Sequence, residues 1–188
     1  IFQNSIGDLM SHEKDLINKI FTDLQSHLIL CEKNTGTWSV ENINNIVLGQ
    51  SKPYDFINLE EGIPIMCTEN NNELGISNGD IGVLIGKNEN RKFLFRKFND
   101  NNDLVVDFIE PSTLNNVVPA IAITIHKSQG SESEKVSILW TQKSQINKYK
   151  EDLEDDSKLM FFRDNYEKRL LYTAITRAKN FLDIYFLN

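Results

Sequence analysis

Two runs of apolar and β-branched residues near the end of the chain constrain its fold more than any other feature. Residues 120–125 form one run and residues 136–140 form the other, with a polar segment between them. Such near-continuous runs are typical of parallel strands that are buried on both faces. They predict an α/β fold. We expect the polar residues that follow the first run to lie where a buried strand ends, which is where ligands bind in such sheets.

Helical patterns surround these strands. An amphipathic packing helix is predicted from about residue 8 to residue 26, because apolar residues recur every fourth position: Leu16, Ile20, Leu24 and Leu28, with Ile17 and Phe21 beside them. The other predicted elements are a strand at 28–31, a helix from a Ser39 cap through Leu48 with Gly49 as its stop signal, a helix at 163–178 and a strand at 181–187. Residues 141–158 are polar and acidic and are interpreted as a surface excursion.

The middle of the chain consists of short strand-forming runs separated by turns rich in asparagine and glycine. Strands are predicted at 63–68, 82–85, 92–98 and 104–109. Four or five short antiparallel strands that close on themselves predict a small β-barrel of SH3 type, inserted at residues 62–112. Phe93, Phe95 and Phe98 are interpreted as its core, with stacking against nucleic-acid bases as the alternative.

Composition limits the functions that this chain can have. With 188 residues, 40% hydrophobic and 25% charged, it can bury the core of one or two domains. No apolar run approaches the roughly eighteen residues of a membrane span, and no secretory signal is recognisable, so we expect a soluble cytoplasmic protein. Cys31 and Cys67 lack metal-ligand spacing and are interpreted as reduced thiols. The net charge of −7 argues against bulk electrostatic binding of nucleic acid, so any DNA contact must be local.

Two short segments carry most of the functional information. Residues 124–132 read Thr-Ile-His-Lys-Ser-Gln-Gly-Ser-Glu, and residues 171–179 read Leu-Tyr-Thr-Ala-Ile-Thr-Arg-Ala-Lys. The second segment has a helical apolar stripe with Arg177 at its edge. An arginine fixed in this way can aim its planar, five-donor fork at a phosphate with little further loss of entropy.

These segments resemble motifs V and VI of superfamily 1 DNA helicases. Within that superfamily they are most similar to the RecD family, the alpha subunits of exodeoxyribonuclease V, because Pif-type relatives usually read Ala-Leu-Ser-Arg at the second segment. Two turns, Gly-Ile-Pro-Ile-Met at 62–66 and Asn-Gly-Asp-Ile-Gly at 78–82, resemble the small barrel that RecD proteins insert into their second motor domain. Together the matches span most of residues 30–188.

The resemblance implies roles for several side chains. Arg177 would be the catalytic arginine finger, which stabilises charge on the γ-phosphoryl oxygens, and Glu132 would accept a hydrogen bond from the ribose of ATP. The implied nucleotide-binding residues are Gln129, Gly130, Glu132 and Arg177, and the implied DNA-binding residues are Thr124, His126 and Lys127. The alternatives are a surface ion pair for Arg177, a solvated acid for Glu132 and a structural histidine for His126.

Other parts of a helicase motor do not match. The loop at 32–38 corresponds in position to motif IV, where the family commonly has an arginine, but the candidates here are Lys33 and Asn34, which lack the bidentate fork. The sequence has no Gly-x-x-x-x-Gly-Lys-Ser/Thr phosphate loop and no apolar strand that ends in paired acids for magnesium. We therefore expect a fragment that is not active alone: a RecA-like second motor domain formed by residues 1–61 and 113–188, with the barrel between them and no metal ligands.

The resemblance also implies a function for the parent protein. It implies an ATP-dependent 5′–3′ DNA helicase or translocase subunit of exodeoxyribonuclease V, which acts on single-stranded DNA in double-strand break processing and recombinational repair. The implied cofactors are ATP and Mg²⁺, with the magnesium ligands in the missing domain, and the implied partners are RecB-like and RecC-like subunits. The alternatives are a stand-alone RecD-like or Pif-like helicase and a non-catalytic protein-docking module.

Overall fold

The computed structural model of the protein describes residues 2–5, 11–98, 104–141 and 156–187. The chain divides into two compact units, each built from two separate stretches of sequence. One unit consists of Ile1–Leu24 and Asn44–Ile121, and the other consists of Gln25–Ile43 and Ala122–Asn188. Most of the predicted surface excursion at 141–158 lies outside the described residues.

The described elements are strands and helices in mixed order along the chain. They are β1 (Phe2–Ser5), α1 (Ser11–Leu24), β2 (His27–Cys31), α2 (Val40–Leu48), β3 (Pro64–Cys67), β4 (Ile81–Ile85), β5 (Lys92–Phe98), β6 (Leu104–Ile109), β7 (Val117–Pro119), β8 (Ala122–Thr124), β9 (Ser133–Thr141), α3 (Asp156–Ile175) and β10 (Ala178–Leu187). Short 3-10 helices lie at Asn88–Asn90 and Ile125–Ser128. Within this described part of the chain, no helix combines the length and the apolar composition that a membrane crossing requires.

The second unit contains a four-stranded parallel sheet in the order β10-β9-β2-β8. Ile29 of β2 pairs with Ala122 on one side and with Ser137 on the other, so β2 is a central strand. The apolar runs supply buried side chains of this sheet such as Ile123 and Ile138, and β2 adds Leu30. The α/β architecture with a parallel sheet, predicted from those runs, is confirmed.

Two helix ends in the second unit test the predicted boundaries. Ser39 caps α2 as predicted, because the backbone nitrogen of Asn42 donates to Ser39 Oγ at 3.1 Å. The predicted helix through residue 178 is too long, because α3 ends at Ile175. The backbone nitrogen of Ser133 donates to the carbonyl oxygen of Arg177 at 2.9 Å, and Ala178 then pairs with β9. Strand pairing thus overrides the helical periodicity of this segment.

The first unit contains a six-stranded antiparallel sheet in the order β1-β6-β5-β4-β3-β7. The bounds of β5 and β6 are those predicted, and β3 and β4 lie within one residue of theirs at each end. No ladder between β1 and β7 is seen among the described residues, so closure of these strands into an SH3-like barrel stays a prediction. The predicted domain boundaries also stay a prediction, although this unit groups α1, β1 and β7 with the antiparallel strands.

One prediction about the core of this unit is wrong. Phe93 and Phe95 are 1% and 2% exposed, as expected of core residues, but Phe98 is 65% exposed. Because successive strand residues point to opposite faces, Phe98 shares the face of Leu94 rather than that of Phe93 and Phe95. On that face Leu94 packs with Phe21 of α1, whereas Phe98, at the end of β5, lies outside this cluster.

Helix α1 has the packing role that its pattern predicts, on a slightly different stripe. Ile17 and Phe21 are buried against the antiparallel sheet, with Ile20 and Leu24 partly buried beside them. Leu16 belongs to the predicted stripe but is 59% exposed. The buried positions follow the i, i+3, i+4, i+7 spacing of one helix face. Residues at every fourth position drift away from that face over successive turns, because a helical turn has 3.6 residues.

Candidate functional site

The segment of residues 125–132 begins at the carboxyl-terminal end of β8. Thr124 is buried there, and its Oγ1 accepts a hydrogen bond from the backbone nitrogen of Lys127 at 3.3 Å. Ser128 is fully buried, and its hydroxyl donates to the carbonyl oxygen of Ile125 at 2.7 Å. These bonds close the short 3-10 helix at the strand end, with His126 and Lys127 exposed.

The same segment then returns to the opposite edge of the sheet. Thr124 pairs with Cys31, which pairs with Leu139, and β9 starts six residues before Leu139 at Ser133. At about 3.3 Å per residue, Ser133 lies roughly 20 Å back along the strand direction. We expected the whole motif to lie at a strand end. Only its first half does, and Ser131 and Glu132 reach the amino-terminal edge.

Gly130 lies in the part of the segment that turns towards this second edge. Its φ is +87°, in the region that favours glycine, and no heavy atom beyond its two chain neighbours lies within 4 Å of the position that a Cβ would take. The need for glycine is therefore conformational and not steric. Gln129 precedes it, exposed, and its backbone nitrogen donates to the carbonyl oxygen of His126 at 3.4 Å.

Arg177 lies at the amino-terminal edge, in the turn between α3 and β10. Its guanidinium donates three hydrogen bonds, each of 3.1 Å: Nε to the carbonyl oxygen of Thr173, one terminal nitrogen to the carbonyl oxygen of Ser131 and the other to Thr176 Oγ1. The side chain is held in place, as expected. Hydrogen bonds to neutral oxygens hold it, however, because Arg177 lies after the end of α3 and not within the helix. Its contact with Ser131 joins the two sequence motifs.

Glu132 and Lys179 face each other at the same edge. Lys179 Nζ lies 3.9 Å from Glu132 Oε2, and both side chains are at least half exposed. An exposed pair at this distance contributes little to stability, so Lys179 does not lock the carboxylate in place. The carboxylate of Glu132 is accessible for a second hydrogen-bonding partner.

His126 contacts a residue that the sequence did not single out. Its ring stacks on that of Tyr166 in α3, with 6.4 Å between ring centroids and 27° between ring planes. Tyr166 Oη lies 3.4 Å from His126 Nε2. No pattern in the sequence indicates this contact, because α3 is brought beside the 3-10 helix only by the tertiary fold.

Lys33 and Asn34, the two candidates for motif IV, have a structural role in the loop after β2. The carbonyl oxygens of Lys33 and Asn34 accept hydrogen bonds, each of 3.0 Å, from the backbone nitrogens of Val40 and Glu41 in the first turn of α2. These bonds satisfy donors that a helix start otherwise leaves unpaired. Glu32, at the start of the loop, accepts a hydrogen bond from Thr141 Oγ1 at 2.7 Å.

Burial changes the ionisation of two groups in β2. It raises the pKa of the Cys31 thiol to about 12. It also lowers the pKa of His27, with a smaller contribution from the positive charge of Lys135, whose ammonium pairs with Asp183 at 2.9 Å. Among the described residues, no group of three or more His, Cys, Asp and Glu side chains is arranged to hold a metal ion.

Comparison with known proteins decides the family. Residues 19–188 match the UvrD-like helicase C-terminal domain. The chain belongs to this family. It is 30% identical over 185 residues to RecBCD enzyme subunit RecD of Buchnera aphidicola subsp. Schizaphis graminum, a match that covers 93% of this chain and 27% of that protein. It is 28% identical over 160 residues to the RecD subunit of Mycobacterium tuberculosis H37Rv, covering 83% of this chain and 24% of that protein.

The match to these relatives covers only part of their length. The chain spans about a quarter of the length of the curated relatives that it matches. A crystal structure of Pif1 helicase from Bacteroides in complex with ADP-AlF3 and single-stranded DNA aligns with 96% of this chain and 46% of its own, at 19% identity and a TM-score of 0.49, which is too low to carry an argument. The predicted resemblance to the C-terminal part of RecD-type helicases is confirmed by the family match and the RecD relatives.

Proposed function

We propose that this chain is the second motor domain of an ATP-dependent DNA helicase and that residues 125–132 link its DNA site to its nucleotide site. The supporting observation is that this segment reaches both edges of the parallel sheet. The proposed DNA-binding residues Thr124, His126 and Lys127 lie at one edge. At the other, the guanidinium of Arg177 donates to the carbonyl oxygen of Ser131, the residue before Glu132.

The chemistry of the nucleotide edge favours a phosphate ligand for Arg177. The three acceptors of its guanidinium are neutral oxygens, and it forms no ion pair with any residue that the structure describes. Its positive charge is therefore available to the γ-phosphoryl oxygens of ATP, where an arginine finger stabilises the charge of the transition state. Glu132 completes this side of the site, its carboxylate accepting from the ribose, and the other proposed nucleotide-binding residues, Gln129 and Gly130, lie in the stretch that leads to it.

The DNA edge offers donors suited to a phosphate backbone. Thr124 Oγ1 accepts one hydrogen bond from within the chain, and its own proton is available to a DNA phosphate. His126 and Lys127 are exposed beside it. Contacts of this local kind suit a chain whose net charge is −7.

The finer features of the proposal come from the relatives and from the motif resemblance. Since the relatives are named as RecD subunits of the RecBCD enzyme, we propose RecB-like and RecC-like partners. From the resemblance of the two motifs to those of RecD-type helicases, we propose a role in double-strand break processing and recombinational repair, 5′–3′ movement, and ATP with Mg²⁺ as cofactors, with the magnesium ligands outside this chain. We also propose a cytoplasmic location and closure of the antiparallel sheet into an SH3-like barrel. A parent protein that unwinds DNA without those partners would be a stand-alone helicase.

The test is the replacement of Arg177 by lysine in the full-length protein. Arg177→Lys keeps the charge but loses the planar fork, so DNA-stimulated turnover should fall at least about a hundredfold. ATP affinity should fall much less, because only interactions stronger in the transition state accelerate the chemical step. Arg177→Ala and thermal unfolding serve as controls. Near-normal turnover in a folded Arg177→Lys protein would reduce Arg177 to an ordinary cation and contradict the proposal.

A further inference from the structure

An exposed aromatic pair lies beside the proposed DNA-binding residues. Tyr166 is 54% exposed although its ring stacks on His126, so one large aromatic surface stays open to solvent. The hydrogen-bonding distance of 3.4 Å between Tyr166 Oη and His126 Nε2 joins the two rings at their edges.

Two exposed cations, Arg169 and Lys127, lie near this pair in an otherwise acidic chain, together with Glu167, which follows Tyr166 in sequence. Arg169 lies one helical turn after Tyr166 on α3, and residues three apart are neighbours on a helix surface. It is exposed, and its guanidinium forms no ion pair with a described residue. Lys127 follows His126 in the 3-10 helix and is also exposed. The overall charge of −7 shows that this local combination of cations and aromatic rings does not reflect the average composition.

We infer that Tyr166, stacked on His126, is a platform for one base of single-stranded DNA and that Arg169 contacts a flanking phosphate. Every base offers a flat π-face, so stacking on an exposed ring is tolerant of sequence, as a translocating motor needs. A guanidinium beside the ring supplies the charge that holds the backbone. This inference rests on the proposed function, because it assumes that DNA runs along the edge marked by Thr124 and Lys127.

The experiment measures how the full-length protein binds labelled oligothymidylate by fluorescence anisotropy. A series of oligonucleotides carries one abasic nucleotide at successive positions. Wild type should lose affinity when the abasic nucleotide occupies the platform. Tyr166→Ala should weaken binding of the intact oligonucleotide by about five- to 150-fold, the range expected of one stacked base, and should become insensitive to the abasic nucleotide at that position.

Matched variants separate stacking from support of the fold. Tyr166→Phe keeps the ring and should bind within about twofold of wild type, since the hydroxyl adds little to stacking. Tyr172→Ala removes another tyrosine of the same helix, 70% exposed and six residues further on, and should bind as wild type does. Arg169→Gln should lower the salt dependence of binding by about 0.7 in the slope of log affinity against log salt concentration.

Each outcome decides between the two proposals. If wild type binds no single-stranded DNA, the proposed function itself fails at its DNA edge. If wild type binds but Tyr166→Ala binds equally well, only the platform is wrong. If Tyr166→Ala binds more weakly and unfolds at a lower temperature while keeping the abasic profile of wild type, Tyr166 is a structural residue and the platform is again refuted.

Discussion

Replacing Gly130 tests whether the link between the two sheet edges needs a left-handed turn. Its φ of +87° is unfavourable for other residues, yet no heavy atom outside Gly130 and its two chain neighbours lies within 4 Å of the position of a Cβ. A new side chain therefore meets no neighbour, and its cost comes from backbone conformation alone. Since the left-handed region costs an L-residue about 1–2 kcal/mol, Gly130→Ala should lower the free energy of unfolding by about that amount.

The order of a substitution series makes this reasoning sharper. Asparagine enters the left-handed region more readily than alanine, and β-branched valine enters it least readily. We expect a rising cost from Gly130→Asn through Gly130→Ala to Gly130→Val. For domains of 60–100 residues each kcal/mol shifts the Tm by about 4–8 °C, so Gly130→Ala should lower the Tm by about 4–16 °C in differential scanning calorimetry.

Gly82 provides the contrast, because there the constraint is steric. Its φ lies outside the left-handed region, but a Cβ would lie 2.6 Å from the carbonyl oxygen of Leu94 and 2.9 Å from the Phe95 ring. Alanine should be the least harmful replacement at Gly82 and asparagine worse, the reverse of their order at Gly130. If the three Gly130 variants melted together with wild type, the argument from φ would be refuted.

Two further predictions concern the buried and partly buried groups of the chain. Cys31 and Cys67 are buried, and the pKa of Cys31 is raised to about 12, so a thiol reagent at about pH 8 should label neither thiol until the protein is unfolded, and rapid labelling of the native protein would contradict this. The pKa of His27 is below its ordinary value of 6.5, so as the pH falls the unfolded state takes up a proton before the folded state does. The free energy of unfolding is therefore highest above about pH 6.5 and decreases as the pH falls towards the pKa of the folded state. In urea unfolding, the free energy of unfolding should decrease less between about pH 7.5 and 5.5 for His27→Asn than for wild type. An identical decrease in the two proteins would show that His27 is not responsible.

The elements of the fold could be predicted wherever local sequence chemistry determines them. The apolar runs predicted buried parallel strands, and the Ser39 cap and Gly49 predicted both ends of α2. Predictions failed where tertiary contacts decide the outcome. Phe98 fits the pattern of a buried aromatic, but its position at the end of β5, on the face of Leu94, leaves it exposed. The end of α3 is likewise set by pairing of β10 with β9, which no helical pattern contains.

The motifs single out the candidate site residues, whose roles stay a prediction, but the arrangement of these residues depends on strand register. The pairing of Thr124 with Cys31 and of Cys31 with Leu139 joins residues far apart in sequence, and it separates the two ends of the segment 125–132. Across two strand spacings and about 20 Å along the sheet, these ends lie roughly 22 Å apart.

The 3-10 helix and the turn take up the length that the chain has for that distance. The four residues of the 3-10 helix rise about 8 Å, the turn closed by the bond from Ser131 to Ser128 spans less than about 7 Å, and the step to Ser133 adds about 7 Å. The total of roughly 22 Å matches that separation, so the segment can lengthen only if the 3-10 helix or the turn opens, since nine fully extended steps would reach about 30 Å. A displacement of His126 at the proposed DNA edge would therefore reach Ser131, whose carbonyl oxygen accepts from Arg177, as long as the 3-10 helix and the turn stay closed. This gives the proposed link between DNA and nucleotide a mechanical basis that the order of residues alone does not contain.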